Sequence, residues 1–119
     1  ENVRVGRGCS LGPFCRLGNH TWLADGVEVG NFVELSNCRI GKETKILHHS
    51  FITHAKIGER VFVGAATVTA PSSSLNGSGS HRIRIGANVQ IEGGSLFLGK
   101  VSVPAGKVIK AGTMLGVEP

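Results

Sequence analysis

An imidazole and a set of cations are the residues with chemistry to offer. His48 lies two residues past Ile46 in Lys45-Ile46-Leu47-His48-His49-Ser50-Phe51. That spacing turns its ring outward, where it is either a proton acceptor working near neutral pH or an ordinary surface histidine at a turn. Arg39, Lys56 and Arg84 recur at equivalent places in a repeating pattern, together with Arg4, Trp22 and Ser102. They form either a column able to seat a phosphate or a solvated basic corner. Cys9, Cys15 and Cys38 make an odd count without a CxxC pair, which fits a reducing cytoplasm. Cys9 and Cys15 hold the same place in successive repeats and read as small core filler.

The element that must position these groups is a six-residue repeat. An aliphatic residue recurs as Val5, Leu11, Leu17, Leu23, Val29 and Leu35. One residue is then omitted, and the series resumes at Ile40, Ile46 and Ile52. After a second omission it runs Ile57, Val63, Thr69, and beyond an insertion Ile85, Ile91, Phe97, Val103, Ile109, Leu115. Gly often follows the aliphatic, and Cys, Ser, Thr or Val stands four residues after it. Neither a 3.6-residue helix period nor an irregular sandwich produces this pattern. Each hexad is a short strand with a corner, three hexads close a triangular coil, and coils stack with parallel strands about 4.8 Å apart. With coils starting at Val5, Leu23, Ile40, Ile57, Ile85 and Val103, both omissions and the insertion fall at one corner. The insertion, about residues 71–84, is Ser/Gly-rich and is expected to leave the coil as a loop. The skipped residues, the basic column and the loop are expected to meet at that corner, with His48 beside them.

At 119 residues there is one domain, residues 1–119, and one core. The formal charge of +5 suits an anionic partner. The cations are scattered without interleaved aromatics, so a phosphate-bearing small ligand is expected and nucleic acid is not. No apolar run reaches the length of a membrane span, and the N-terminus carries no signal-peptide pattern. Glu1 already lies inside the repeat without a preceding Met, which reads as the C-terminal part of a longer chain.

The spacing resembles the left-handed β-helix of the hexapeptide-repeat acyltransferases. Among these, the likeness runs to the C-terminal acetyltransferase domain of the bifunctional N-acetylglucosamine-1-phosphate uridyltransferase/glucosamine-1-phosphate acetyltransferase family. It is carried by Gly12-Pro13-Phe14-Cys15-Arg16-Leu17, Val29-Gly30-Asn31-Phe32-Val33-Glu34, Ile40-Gly41-Lys42, Ala55-Lys56-Ile57-Gly58 and Val63-Gly64-Ala65-Ala66-Thr67-Val68. The resemblance implies an all-β, single-stranded left-handed parallel β-helix of about six coils and a homotrimer. It also implies acetyl-CoA as co-substrate, an amino-sugar phosphate as acceptor, and no metal.

Carried over residue by residue, the family's catalytic base matches His48. Its sugar-phosphate-binding arginine and lysine correspond to Gly18 and Ser36, its tyrosine after the base to Phe51, and an asparagine to Phe62. The family's Asn-Tyr-Asp run is replaced by Pro71-Ser72-Ser73, and Arg82 stands near a family lysine at the loop's end. Gly93 and Ala111 fall where the family contacts acetyl-CoA; both also read as plain repeat filler. The candidate substrate-binding set is therefore Phe51, Arg82, Arg39, Lys56 and Arg84. Two other readings stand beside acetyl transfer. One is a non-catalytic β-helix that trimerises or regulates a nucleotidyltransferase domain, suggested by the altered acceptor positions. The other is a metal site, because His49-x4-His54 echoes the histidine pair of γ-class carbonic anhydrases, although His20 is poorly spaced for a third ligand.

Overall fold

The structure, a computed structural model, describes residues 2–70 and 83–116. It is all-β, a left-handed parallel β-helix of about six coils. The first coil carries β1 (Arg4–Val5), β2 (Ser10–Leu11) and β3 (Arg16–Leu17), and the second opens with β4 (Thr21–Leu23) and β5 (Glu28–Val29). β6 (Glu34–Ile40) follows, then β7 (Lys45–Ile46), β8 (Phe51–Ile57), β9 (Phe62–Val63) and β10 (Val68–Ala70). The last coils hold β11 (Ile83–Ile85), β12 (Gln90–Ile91), β13 (Leu96–Leu98), β14 (Val101–Val103), β15 (Val108–Ile109) and β16 (Met114–Leu115).

All pairings are parallel, and they define three faces. On the first face Val5, Leu23, Ile40, Ile57, Ile85 and Val103 are in register, as the coil starts require. The second face stacks β2, β5, β7, β9, β12 and β15. The third face is built from β3, the N-terminal halves of β6 and β8, and β10, β13 and β16.

The ladder side chains point inward and form one core. Leu35, Ile46, Ile52, Val63 and Phe97 are fully buried, each burial contributing roughly 1.5–3 kcal/mol. A coil is covered only by its neighbours: Val5 and Leu11, in the first described coil, are exposed, whereas Leu23 and Val29 below them are buried. The small residue four places after the aliphatic also points inward, and its hydroxyl closes the corner. Thr21 Oγ1 donates to the Gly18 carbonyl (2.8 Å) and Thr67 Oγ1 to that of Gly64 (2.7 Å). The glycine after the aliphatic is needed where coils nearly touch, since a methyl on Gly41 would run into the Gly58 backbone.

The omitted residues have a definite structural form. At the corner between the third and first faces, β6 and β8 do not break. Each bends at a single residue of left-handed conformation, Asn37 (φ 47°) and His54 (φ 56°). One such residue replaces the usual two-residue turn. Ile83–Ile85 is a strand paired with Ala55–Ile57, so Arg84 belongs to the first face and not to the loop, as the range 71–84 would have it. The remainder of the expected insertion lies outside the described residues, as do Arg82 and Pro71-Ser72-Ser73.

Cys38 is fully buried, and burial pushes its thiol up to about 12, which keeps it protonated. Cys9 and Cys15 are partly buried against the core, consistent with filler.

Candidate active site

His48 occupies the first turn position between the second and third faces, two residues beyond Ile46, and is exposed. Its Nδ1 accepts the backbone N–H of Asn31, one coil above, at 2.8 Å. The ring lies over Gly30, where an added Cβ would come within 2.5 Å of Nδ1. Asp25 makes the corresponding bond at the neighbouring corner, its Oδ1 accepting from Arg7 N–H at 2.8 Å. His48 is thus a corner cap in this structure, which gives the surface-histidine reading a specific role. With Nδ1 accepting, the neutral ring carries its proton on Nε2.

The vertex around His48 changes character along its length. Above it, Phe14, Phe32 and His49 form a stacked ladder, with ring centroids 5.5 Å apart for the phenylalanines and 5.2 Å for Phe32 and His49. All three adopt left-handed backbone conformations (φ 63°, 58° and 63°), a strain on the order of 1–3 kcal/mol each for side chains of this size. Below His48 the same vertex carries Ala65-Ala66, Gly93-Gly94 and Ala111-Gly112. Coil-to-coil bonds connect them, from Ala66 N–H to the His48 carbonyl, Gly94 N–H to that of Ala65 and Gly112 N–H to that of Gly93. His48 therefore stands where an aromatic ridge gives way to a lane of small residues. The structure places the expected base and both expected cofactor positions, Gly93 and Ala111, on one edge. The ridge and Ala65 are not among the residues expected from the sequence, although the turn position of every hexad, counted like the ladder, carries them.

The acceptor positions are less well provided. Gly18 and Ser36 do lie against each other on the third face, a Cβ on Gly18 coming 3.0 Å from Ser36 Cβ. The pair offers no charge, and Ser36 Oγ donates to Thr53 Oγ1 (3.1 Å). Phe51 points outward on the third face, in register with Glu34 and Val68. Phe62 is outward on the second face between Lys45 and Gln90.

The basic column is in register as expected, running Arg4, Trp22, Arg39, Lys56, Arg84, Ser102 across paired strands of the first face. It adjoins the corner of the omitted residues. It does not meet His48, which lies on the vertex opposite the first face. A triangular section separates the two by the whole core, so one chain cannot bring them to one ligand. The upper cations are also engaged: the guanidinium of Arg39 lies 3.9 Å from the Trp22 ring centroid and that of Arg4 lies 4.9 Å from it.

The histidines of the metal reading are likewise apart. His49 stacks on Phe32 at one vertex. His54 is buried at another, its Nδ1 accepting from Thr53 Oγ1 at 2.9 Å while Nε2 has no partner among the described residues. Burial holds the His54 imidazole below its ordinary pKa. The described residues contain no group of three His, Cys, Asp or Glu side chains able to hold a metal ion.

The register, the triangular coil and the capped vertex define a hexapeptide-repeat left-handed β-helix. The chain is homologous to a segment of the bifunctional protein GlmU. It is 41% identical over 113 residues to that of Alkalilimnicola ehrlichii, 40% over 115 to that of Xylella fastidiosa and 39% over 115 to that of Aromatoleum aromaticum. These matches cover 95–97% of this chain, and the chain spans about a quarter (24–25%) of those relatives' length. The match is consistent with their C-terminal acetyltransferase region. No family model matches the chain. Among the described residues no helix is long and apolar enough to cross a membrane.

Proposed function

We propose that this chain carries an acetyl-CoA-dependent acetyltransferase centre for an amino-sugar phosphate, with His48 as its acid–base residue. The supporting observation is the vertex itself. His48, next to the Phe32-stacked His49, stands at the head of a lane of Ala and Gly, where a thioester-bearing chain can approach the backbone closely. Transfer requires the acceptor amine to attack the thioester carbonyl, lose a proton and expel the CoA thiolate. With Nδ1 accepting from Asn31, the resting neutral ring carries its proton on Nε2. To act as the base the ring takes the Nδ1-protonated tautomer and gives up the Asn31 bond; Nε2 then accepts the amine proton and passes it to the departing CoA thiolate.

A homotrimer accompanies this reading. On the third face the outward column runs Phe51, Val68, Leu96, Met114, with Ala70 and Leu98 beside it. This is a partly exposed apolar strip whose strands are already paired, and its occupant is the same strip of two further copies. A cytoplasmic setting suits acetyl-CoA. The uncharged Gly18 and Ser36 favour the alternative of a non-catalytic trimerising domain, and a kinetic test separates the two.

Purified chain is incubated with acetyl-CoA and glucosamine 1-phosphate, and thiol release is followed. The expected result is turnover that falls about 10²–10⁴-fold in His48→Asn, a substitution that keeps an acceptor for the Asn31 N–H and leaves thermal stability unchanged. Release absent from the unaltered chain, or equal in the variant, overturns the proposal.

A further inference from the structure

The first face carries a feature that acetyl transfer does not use. Its outward column holds four cations, a Trp and a Ser, and no acid. Trp22 engages Arg4 and Arg39, which divides the column in two. Below that division, Lys56 and Arg84 are exposed and in register on paired strands. Neither has an ion-pair or hydrogen-bond partner among the described residues, where the ion pairs are Arg16–Glu34 and Arg60–Glu59. Two like charges on strands about 4.8 Å apart repel one another, and no acidic side chain among the described residues pairs with either of them. They flank an open groove of about 400 Å³ that also takes in Gly58, Gly86, Ser102 and Pro104. Its donors are an ammonium, a guanidinium fork and a hydroxyl, all from side chains on three successive strands.

We propose that this groove binds a phosphate monoester through its phosphate group, at a site separate from the acetyl-transfer vertex. The fork of Arg84 matches two phosphate oxygens, the ammonium of Lys56 serves the third as a point charge, and Ser102 donates from the adjoining coil. The dianion relieves the repulsion between the two cations, and the groove leaves room for a small sugar beside it. The inference is independent of catalysis at His48, which faces the other way.

The test titrates inorganic phosphate, then glucose 6-phosphate, then glucose into the isotope-labelled 119-residue chain at low ionic strength, reading amide shifts. Saturable shifts centred on Gly58, Arg84–Gly86 and Ser102–Val103 are expected for both phosphates, with a dissociation constant on the order of 1 mM. None is expected for glucose. Lys56→Gln/Arg84→Gln should weaken binding at least about tenfold, and Lys107→Gln/Lys110→Gln should leave it unchanged. Shifts spread over all the basic residues without saturation, equal shifts with glucose, or undiminished binding by the first double variant each overturn the proposal. Both variants alter exposed side chains, and a matching melting curve confirms that each is folded.

Discussion

The first and third faces are cut from the same strands, yet they present opposite surfaces. β6 and β8 each begin on the third face, bend at one left-handed residue and finish on the first. Their inward residues are interchangeable in kind: Leu35 and Ile40, Ile52 and Ile57. Their outward residues are not. The lower half of the first face shows Lys56, Arg84 and Ser102, and the lower half of the third shows Val68, Leu96 and Met114. The inward position is dictated by the stack, because every ladder residue must fill space left by the coils on either side. The outward position has no such duty and is where a coil acquires a surface of its own.

The largest effect should come from the part the faces share. Ile52→Ala on the third face and Ile57→Ala on the first should each lower stability by about 2–5 kcal/mol, read from urea unfolding. Similar losses on both faces support a single stacked core. A loss on only one of them breaks the equivalence of the ladders.

Next come the surfaces. Leu96→Glu on the third face should shift the proposed trimer to monomer in light scattering, because it removes apolar burial worth roughly 1.5–3 kcal/mol per copy and sets like charges around one axis. Lys56→Gln on the first face should leave the oligomer intact. The reverse pattern would exchange the roles assigned to the two faces.

These assignments were unequally legible in the sequence. The ladder was plain because every coil repeats the same demand, so Val5 through Leu115 could be placed without a structure, and both omissions could be assigned to one corner. The basic column followed from the same counting. What counting could not supply was the direction in which each vertex faces, and so His48 was expected beside a column that lies across the core from it. Nor could it show that Arg39 stacks on Trp22, since a column of positions does not state which neighbours satisfy one another. The Phe14–Phe32–His49 ridge shows only when turn positions are counted coil by coil, as the ladder positions are. Bulky residues in left-handed turns run against local propensity, so propensity gives no warning of them.

The bend joining the two faces supplies a smaller, pH-dependent effect. His54 is buried with its pKa held down, so the folded state resists its protonation and the unfolded state does not. Stability from this residue is fully present above the unfolded value near 6.5 and is lost as pH falls below it. The melting temperature should therefore drop between pH 7 and pH 5. Asn is already accepted at the stacked position Asn37, so His54→Asn should fold and flatten that slope. An unchanged slope would assign the acid sensitivity elsewhere.

The smallest effect tests the division within the first face itself. Arg39 and Arg84 are both exposed arginines in one column, two strands apart, and composition treats them alike. Their neighbours do not. Arg39 rests on Trp22, a contact worth about 0.5–1 kcal/mol at an exposed site, whereas Arg84 faces Lys56. Arg39→Gln should lower stability by about that amount. Arg84→Gln should leave stability unchanged or raise it by a few tenths of a kcal/mol through relief of repulsion, a gain that added salt erases. Paired thermal melts at low and high ionic strength resolve the difference. Equal losses from the two substitutions would mean that Arg84 has a stabilising partner, and that the lower half of the column is not waiting for an anion.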